Sequence, residues 1–236
     1  MMTAIFTLPP HPLALIEGSD ERFPVGRIFC VGRNYAAHAR EMGKDPDRDP
    51  PFFFTKFANA IVPGDSTVPY PPETANYHYE AELVIAIGQE GAAVATEDAL
   101  DLVFGYAVGL DMTRRDIQLD AREKGRPWDL GKNFAWSAPI AAIRTVQDGG
   151  HITSGPIRLT VNGEVKQEAD IADLIWDCQE TIAYLSRFER LLPGDLIYTG
   201  TPAGVGPVQP GDVMEVTIAG LAPLKVTVGP REAAFA

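Results

Sequence analysis

Two carboxylates on one strand pose the first chemical question. In Tyr77-His78-Tyr79-Glu80-Ala81-Glu82-Leu83-Val84-Ile85-Ala86-Ile87-Gly88 the residues alternate, so that Tyr79, Ala81, Leu83, Ile85 and Ile87 share one face. His78, Glu80 and Glu82 fall on the other, continued by the apolar Val84 and Ala86. Same-face neighbours on a strand are roughly 7 Å apart at Cα, so both carboxylates can converge on one cation. Unaccompanied, they repel and one takes up a proton. A hard divalent ion such as Mg²⁺ removes the conflict and keeps positions for water or substrate. Glu-x-Glu by itself is more often the solvated face of an edge strand.

Other candidates join it. Asn34 as N-cap and Gly43 as C′ residue mark a short helix carrying His38 and Glu41, which are three apart and therefore neighbours. A carboxylate beside an imidazole raises its pKa and orients the ring, as a general base requires, although an ordinary surface pair is the plainer account. Lys56 is the lone charge in Phe52-Phe53-Phe54-Thr55-Lys56-Phe57; it either snorkels to the surface or, near a metal, holds an anionic substrate. Asp111 ends the apolar run from Phe104 and precedes a helix opening at Thr113 and reaching about Lys124, so helix capping competes for it. Arg115 and Gln118 share a face of that helix. The loop Gly200-Thr201-Pro202-Ala203-Gly204-Val205-Gly206-Pro207 lets backbone amides approach a ligand, but lacks the Gly-Lys-Ser/Thr of a phosphate loop.

The scaffold for these groups reads as mostly strand. A proline-rich N-terminal segment, 1–25, with at most a small strand pair, precedes a catalytic unit, 26–236, opening with the strand Arg27 to Val31. Lys44 to Pro51 is a charged loop, and Glu97 to Val103 a helical turn or two. Gly131-Lys132-Asn133-Phe134 reads as a loop or short strand. Ile157 to Val161, Asn162-Gly163 and Val165 onward form a hairpin. Asp170 to Phe188 is the one long amphipathic helix, with Ile171, Leu174, Ile175, Cys178, Ile182 and Leu185 on its apolar stripe. Strands at Leu196 to Thr199, Val213 to Ile218 and Leu224 to Val228 close the chain.

Composition narrows the function. The 236 residues, 45% hydrophobic with 22 Gly and 20 Pro, suit one sizeable core rich in strands and turns. A net charge of 20 − 32 = −12 argues against a nucleic-acid partner. It leaves room for a small anionic substrate, which answers to local charges and any bound metal. Cys30 and Cys178 read as buried reduced thiols. With no long apolar run and no basic-then-apolar leader, the expectation is a cytoplasmic protein with no membrane partner.

Together these residues resemble the fumarylacetoacetate hydrolase family. The likeness runs from Gly32-Arg33-Asn34-Tyr35 and His38 through the Glu-x-Glu strand to Gly109-Leu110-Asp111-Met112-Thr113-Arg114-Arg115-Asp116, then Gly131-Lys132-Asn133-Phe134 and Thr199-Gly200-Thr201-Pro202-Ala203-Gly204-Val205-Gly206. It implies an α+β, mostly β fold of rolled mixed sheets with a few flanking helices. It implies a divalent metal, Mg²⁺ with Mn²⁺ or Ca²⁺ as alternatives, held by Glu80, Glu82 and Asp111. His38 and Glu41 become the water-activating pair, Lys132 an electrostatic stabiliser, and Thr201 a contact to the substrate carboxylate. Arg33, Lys56, Arg115 and Gln118 complete the substrate-binding set. A homodimer is the family habit.

Arg126-Pro127-Trp128-Asp129 directs the likeness toward acylpyruvate hydrolases, and fumarylpyruvate hydrolases of aromatic breakdown in particular. Phe57, Ala135 and Ala141-Ala142 depart from the family's usual Pro, Asp and Gly-Pro without touching a proposed ligand. An acylpyruvate offers a carboxylate and adjacent keto oxygen to a metal, and its cleavage leaves an enolate for the metal and Lys132 to stabilise. Two alternatives stand beside C–C hydrolysis: oxaloacetate decarboxylation or enol–keto tautomerisation within the family, and non-catalytic binding of small diacids.

Overall fold

β-Branched and aromatic residues recur at alternate positions through most of the chain. The structure, a computed structural model describing residue 5, residues 9–37 and residues 49–233, arranges them in sheets. The largest has strand order Phe52–Lys56, Arg27–Gly32, Asp195–Tyr198, Ala81–Ile87, Val103–Leu110, Ala138–Ile140, Ile61–Pro63, with Arg144–Thr145 beside Val103–Leu110 as the eighth strand. It is mixed, parallel where Asp195–Tyr198 meets Arg27–Gly32 and where Ala138–Ile140 meets Ile61–Pro63. Laid flat, this order would part its outermost strands by roughly 29 Å. Those strands are joined through the single turn Ala58–Ala60, which spans at most about 18 Å from Lys56 to Ile61. The sheet therefore curls on itself.

Curling gives the central strand Ala81–Ile87 two buried faces. Leu83, Ile85 and Ile87 share a core with Leu159, Val216 and Val226 of a second, five-stranded sheet. Val84 and Ala86 face inward with Ile28, Cys30, Leu196 and Tyr198. Each fully buried Leu or Ile contributes roughly 1.5–3 kcal/mol. Glu82 has the parity of Val84 and Ala86 and so belongs to the inner face. The strand is not continuous from Tyr77: it breaks at Glu80, and Tyr77–Tyr79 pairs instead with Thr113–Arg114 and Gly206–Pro207 in a three-stranded sheet.

Two further expectations give way. The long helix from Asp170 is divided into the 3-10 turn Ile171–Asp173 and the α-helix Cys178–Leu185. Asp170 and Asp177 each form a capping box, and between them Ile175 N–H donates to Asn34 O (2.8 Å), drawing the chain out of helical geometry. Asp129–Lys132 is one helical turn rather than a loop or strand, closed by Lys132 N–H donating to Trp128 O (3.0 Å).

The N-terminal strand pair is Leu13–Leu15 with Arg22–Pro24. The Asn162-Gly163 hairpin turns on positive φ at both residues (53° and 82°). Cys30 and Cys178 are buried and unpaired. Among the described residues, no helix is long and apolar enough to cross a membrane.

Candidate active site

Strand register brings the acids together. Ala81 pairs with Leu110, and Asp111 N–H donates to Glu80 O (2.9 Å), so Asp111 stands across from Glu80. Glu82 faces Gly109, which has no side chain to crowd it. One oxygen from each of Glu80, Glu82 and Asp111 lies within 4.8 Å of the others, and all three residues are buried. Asp111 does not cap the helix Arg115–Glu123, whose first turn has no side-chain cap.

Three cations pair with Glu80 and Asp111. Lys132 Nζ donates to Glu80 Oε2 (2.7 Å), Asp111 Oδ2 (2.6 Å) and Thr113 Oγ1 (2.8 Å). Arg115 donates to Glu80 Oε1 and, through Nη1, to Gln118 Oε1 (2.8 Å), so the pair expected on one helical face does meet. Lys56 Nζ lies 2.8 Å from Asp111 Oδ1 and donates to Met112 O (3.2 Å) and Lys132 O. The lysine approaches Oδ1 outside hydrogen-bond geometry, leaving that oxygen a charge partner but no hydrogen bond. Lys56 is not at the surface. Its side chain is fully buried behind Asp111 and does not line the pocket.

Glu82 is held differently. Its Oε2 accepts the Gly200 N–H (2.8 Å), so the first amide of the glycine loop is taken up by this carboxylate. A Cβ at Gly200 would lie 2.7 Å from Asn34 Cβ, and its φ is 101°. Burial, then the charges of Asp111 and Glu80, push the Glu82 carboxyl well above the usual range. Burial alone would lower the Lys132 ammonium, but the Asp111 and Glu80 carboxylates outweigh it and raise its pKa. A divalent cation fits this donor set. The oxygens are hard, Asp111 Oδ1 lacks a hydrogen bond, and Glu82 sits where only added positive charge makes ionisation comfortable.

A small cavity brings Arg33, Arg115, Gln118, Lys132 and Thr201 around Glu80 and Glu82. His38 and Glu41 lie outside the described residues, as does most of the helix expected to carry them. Four residues not singled out in the sequence, or assigned another task there, support the site. Gln167 Nε2 donates to Thr201 Oγ1 (2.8 Å) and Pro202 O (2.8 Å) while its Oε1 accepts Ala81 N–H (3.0 Å), fixing Thr201 against the central strand. Asn34, expected as a cap, donates across the chain to Trp176 O and Thr199 O (2.8 Å each). Thr113 accepts from Lys132. His78 lies against Arg115 Nε (3.4 Å), and burial together with that guanidinium lowers its pKa to about 4.

The family profile "Fumarylacetoacetate (FAA) hydrolase C-terminal" matches residues 27–229. The chain belongs to the fumarylacetoacetate hydrolase family. Within the family, it is 49% identical to fumarylpyruvate hydrolase of a Ralstonia species over 193 residues, 81% of this chain and 100% of the relative. A Pseudomonas aeruginosa fumarylpyruvate hydrolase, solved in complex with Mn²⁺ and pyruvate, superposes with a TM-score of 0.95 at 52% identity, covering 97% of this chain and 100% of that one. Human mitochondrial oxaloacetate tautomerase FAHD1 is 41% identical over 194 residues, 82% of this chain and 87% of the relative.

Proposed function

We propose that the protein hydrolyses a C–C bond of an acylpyruvate, converting fumarylpyruvate and water to fumarate and pyruvate with the help of a divalent metal. The observation that carries this reading is the convergence of Glu80, Glu82 and Asp111 within 4.8 Å beside Lys132, Arg115 and Gln118, in a chain 49–52% identical to fumarylpyruvate hydrolases. Glu80, Glu82 and Asp111 hold the ion, Mg²⁺ in the cell, which when bound supplies Lewis acidity to the pyruvate half.

The chain's own groups divide the rest of the work. Arg115, Gln118 and Thr201 orient the pyruvate carboxylate, and Gln167 orients Thr201. Lys132 places a positive charge beside the oxygen on which negative charge grows as the bond between C3 and C4 breaks. His38, aligned by Glu41, takes a proton from the water whose oxygen bonds to C4. The electron pair of the broken bond passes to C3, where the enolate is protonated to pyruvate. Lys56 acts through Asp111, as a positioning residue.

We place this activity in the breakdown of aromatic compounds, in the cytoplasm, for which the two unpaired buried cysteines are the support. Residues 26–236 form the catalytic unit and 1–25 an N-terminal segment bound to it, with Ile143 N–H donating to Leu15 O (2.8 Å). Phe57, whose N–H donates to Asn133 Oδ1 (2.7 Å), and Leu130 and Trp136, near Asn133 in sequence, are exposed; they are the surface we assign to a homodimer. The likeness to oxaloacetate tautomerase favours a second reading, in which Lys132 and the metal act and no water attacks. Following the enol absorbance of fumarylpyruvate and of oxaloacetate, with Mg²⁺ and with EDTA, separates the two. Metal-dependent release of pyruvate from fumarylpyruvate is expected, and tautomerisation without any C–C cleavage would overturn hydrolysis.

A further inference from the structure

The acids and the lysine account for one half of an acylpyruvate, and the other half must leave their cavity. That cavity shares Arg33, Phe54 and Trp128 with a larger cleft of about 560 Å³, which also takes in Phe52 and, at its exposed rim, Asp129. The passage between them is aromatic on its walls and has one cation, Arg33.

Arg33 is held there by three independent features. Its backbone has φ 59°, a conformation rare for a residue with a side chain and found where surrounding structure enforces it. Its guanidinium lies 5.3 Å from the centre of the Phe52 ring. Phe52 in turn rests on Gly32, where a Cβ would fall 2.0 Å from the ring, and meets Trp128 edge-on at 5.3 Å and 87°. The position is built, but the charge is not used. Arg33 Nε is buried without a hydrogen-bond acceptor, and among the described residues no carboxylate makes an ion pair with it. Burial, and then the like charge of Arg122, push its pKa down.

A guanidinium fork fixed against an aromatic ring is suited to one ligand chemistry, a carboxylate at the end of a flat chain. Building on the hydrolase reading above, we propose that Arg33 binds the distal carboxylate of the acyl group, with Phe54 and Trp128 flanking the planar chain, and that this makes the enzyme select diacid acylpyruvates over those ending in a methyl group. The net charge of −12 does not oppose this, because Arg33 presents local positive charge in the cleft.

The test compares Arg33→Gln and Arg33→Lys with the parent in two ways. Turnover of fumarylpyruvate is compared with that of acetylpyruvate, which ends in a methyl group. Binding of fumarate and of crotonate, which differ only in a far carboxylate or methyl, is measured by calorimetry on the Mn²⁺-loaded protein. The parent should favour the diacid in both. Arg33→Gln should reduce that preference by roughly 10- to 100-fold in kcat/KM and in affinity, the effect of losing charge-assisted hydrogen bonds. Arg33→Lys should keep part of it, having the charge without the fork.

A parent without the preference, an Arg33→Gln protein that keeps it, or equal losses for both members of each pair would overturn the assignment. These outcomes leave hydrolysis standing. Conversely, a parent that binds fumarate through Arg33 but cleaves neither acylpyruvate would overturn the hydrolase reading and retain the carboxylate site.

Discussion

Replacing Lys56 by Met tests the charge balance at the centre of the molecule. Lys56, Arg115 and Lys132 pair with Glu80 and Asp111 in a buried cluster, and Glu82 is a third acid there whose ionisation burial disfavours. The Lys56 and Asp111 side chains are both 0% exposed and 2.8 Å apart, so Lys56→Met leaves a carboxylate oxygen that has neither ion pair nor hydrogen bond. Removing one partner of a buried pair costs about 3–5 kcal/mol, and Lys132 on Oδ2 keeps the carboxylate itself paired. At 2–4 °C per kcal/mol for a chain of this size, the melting temperature should fall by roughly 6–20 °C. The assay is thermal unfolding followed by circular dichroism in EDTA, for parent and variant. With saturating Mn²⁺ the gap should narrow, since a cation on Asp111 restores the missing charge. A variant melting within about 2 °C of the parent in EDTA would refute the reasoning, because it would mean that Asp111 does not depend on Lys56.

Four other outcomes are expected. Glu82→Ala should abolish the stabilisation by Mn²⁺ seen in parent melting curves, along with activity at ordinary metal concentrations; an unchanged Mn²⁺ shift would remove Glu82 from the metal shell. Lys132→Met should lower kcat more than it raises KM, by about 3 kcal/mol of transition-state stabilisation, and near-normal turnover would show the charge is not needed there. His38→Ala should slow hydrolysis by roughly two to four powers of ten while deuterium still washes into C3 of a bound pyruvate analogue, as followed by NMR; equal loss of both would tie His38 to enolate formation instead.

The last of the four concerns pH. His78 has its pKa depressed from 6.5 to about 4, so the folded protein binds fewer protons than the unfolded chain between those values. Its contribution is present above pH 6.5 and is lost as pH falls toward 4. Denaturant unfolding of His78→Gln should show a shallower decline over that window, and an identical decline would assign the acid sensitivity to other groups.

What could be read in advance follows the reach of local pattern. The alternation from Tyr79 to Ile87 placed Glu82 with Val84 and Ala86 correctly, because a strand's faces depend on neighbours in sequence. Asp111 is different: its partnership with Glu80 arises from the register between two strands, and local pattern favoured helix capping, with metal ligation implied only by the family resemblance. The same distance hid the role of Lys56, which reads as a surface lysine until Asp111 is seen across from it. Gln167 lies among charged residues on a partly exposed strand, and nothing local marks it as the residue that holds Thr201. The divided helix was legible, since Asp177 with Glu180 three residues on is a capping box. The regular apolar stripe on either side of it masked the boundary.

The break at Glu80 has a mechanical consequence. Glu82 rides on the large curled sheet, whereas Glu80 sits at the joint where the chain passes to Tyr77–Tyr79 and the three-stranded sheet. Within that smaller sheet the strands are closely packed, since a Cβ at Gly206 would come within 2.7 Å of the hydroxyl of its strand neighbour Tyr79. Metal–ligand distances in a well-formed site fall within about 0.2 Å of their usual values. A slip of one layer past the other of a few tenths of an ångström would move one glutamate and not its neighbour, and so detune the pair. If Glu80 and Glu82 hold the ion as proposed, the stiffness of the joint, set by residues that carry no charge, bears on how sharply the carboxylates discriminate between ions of different radius.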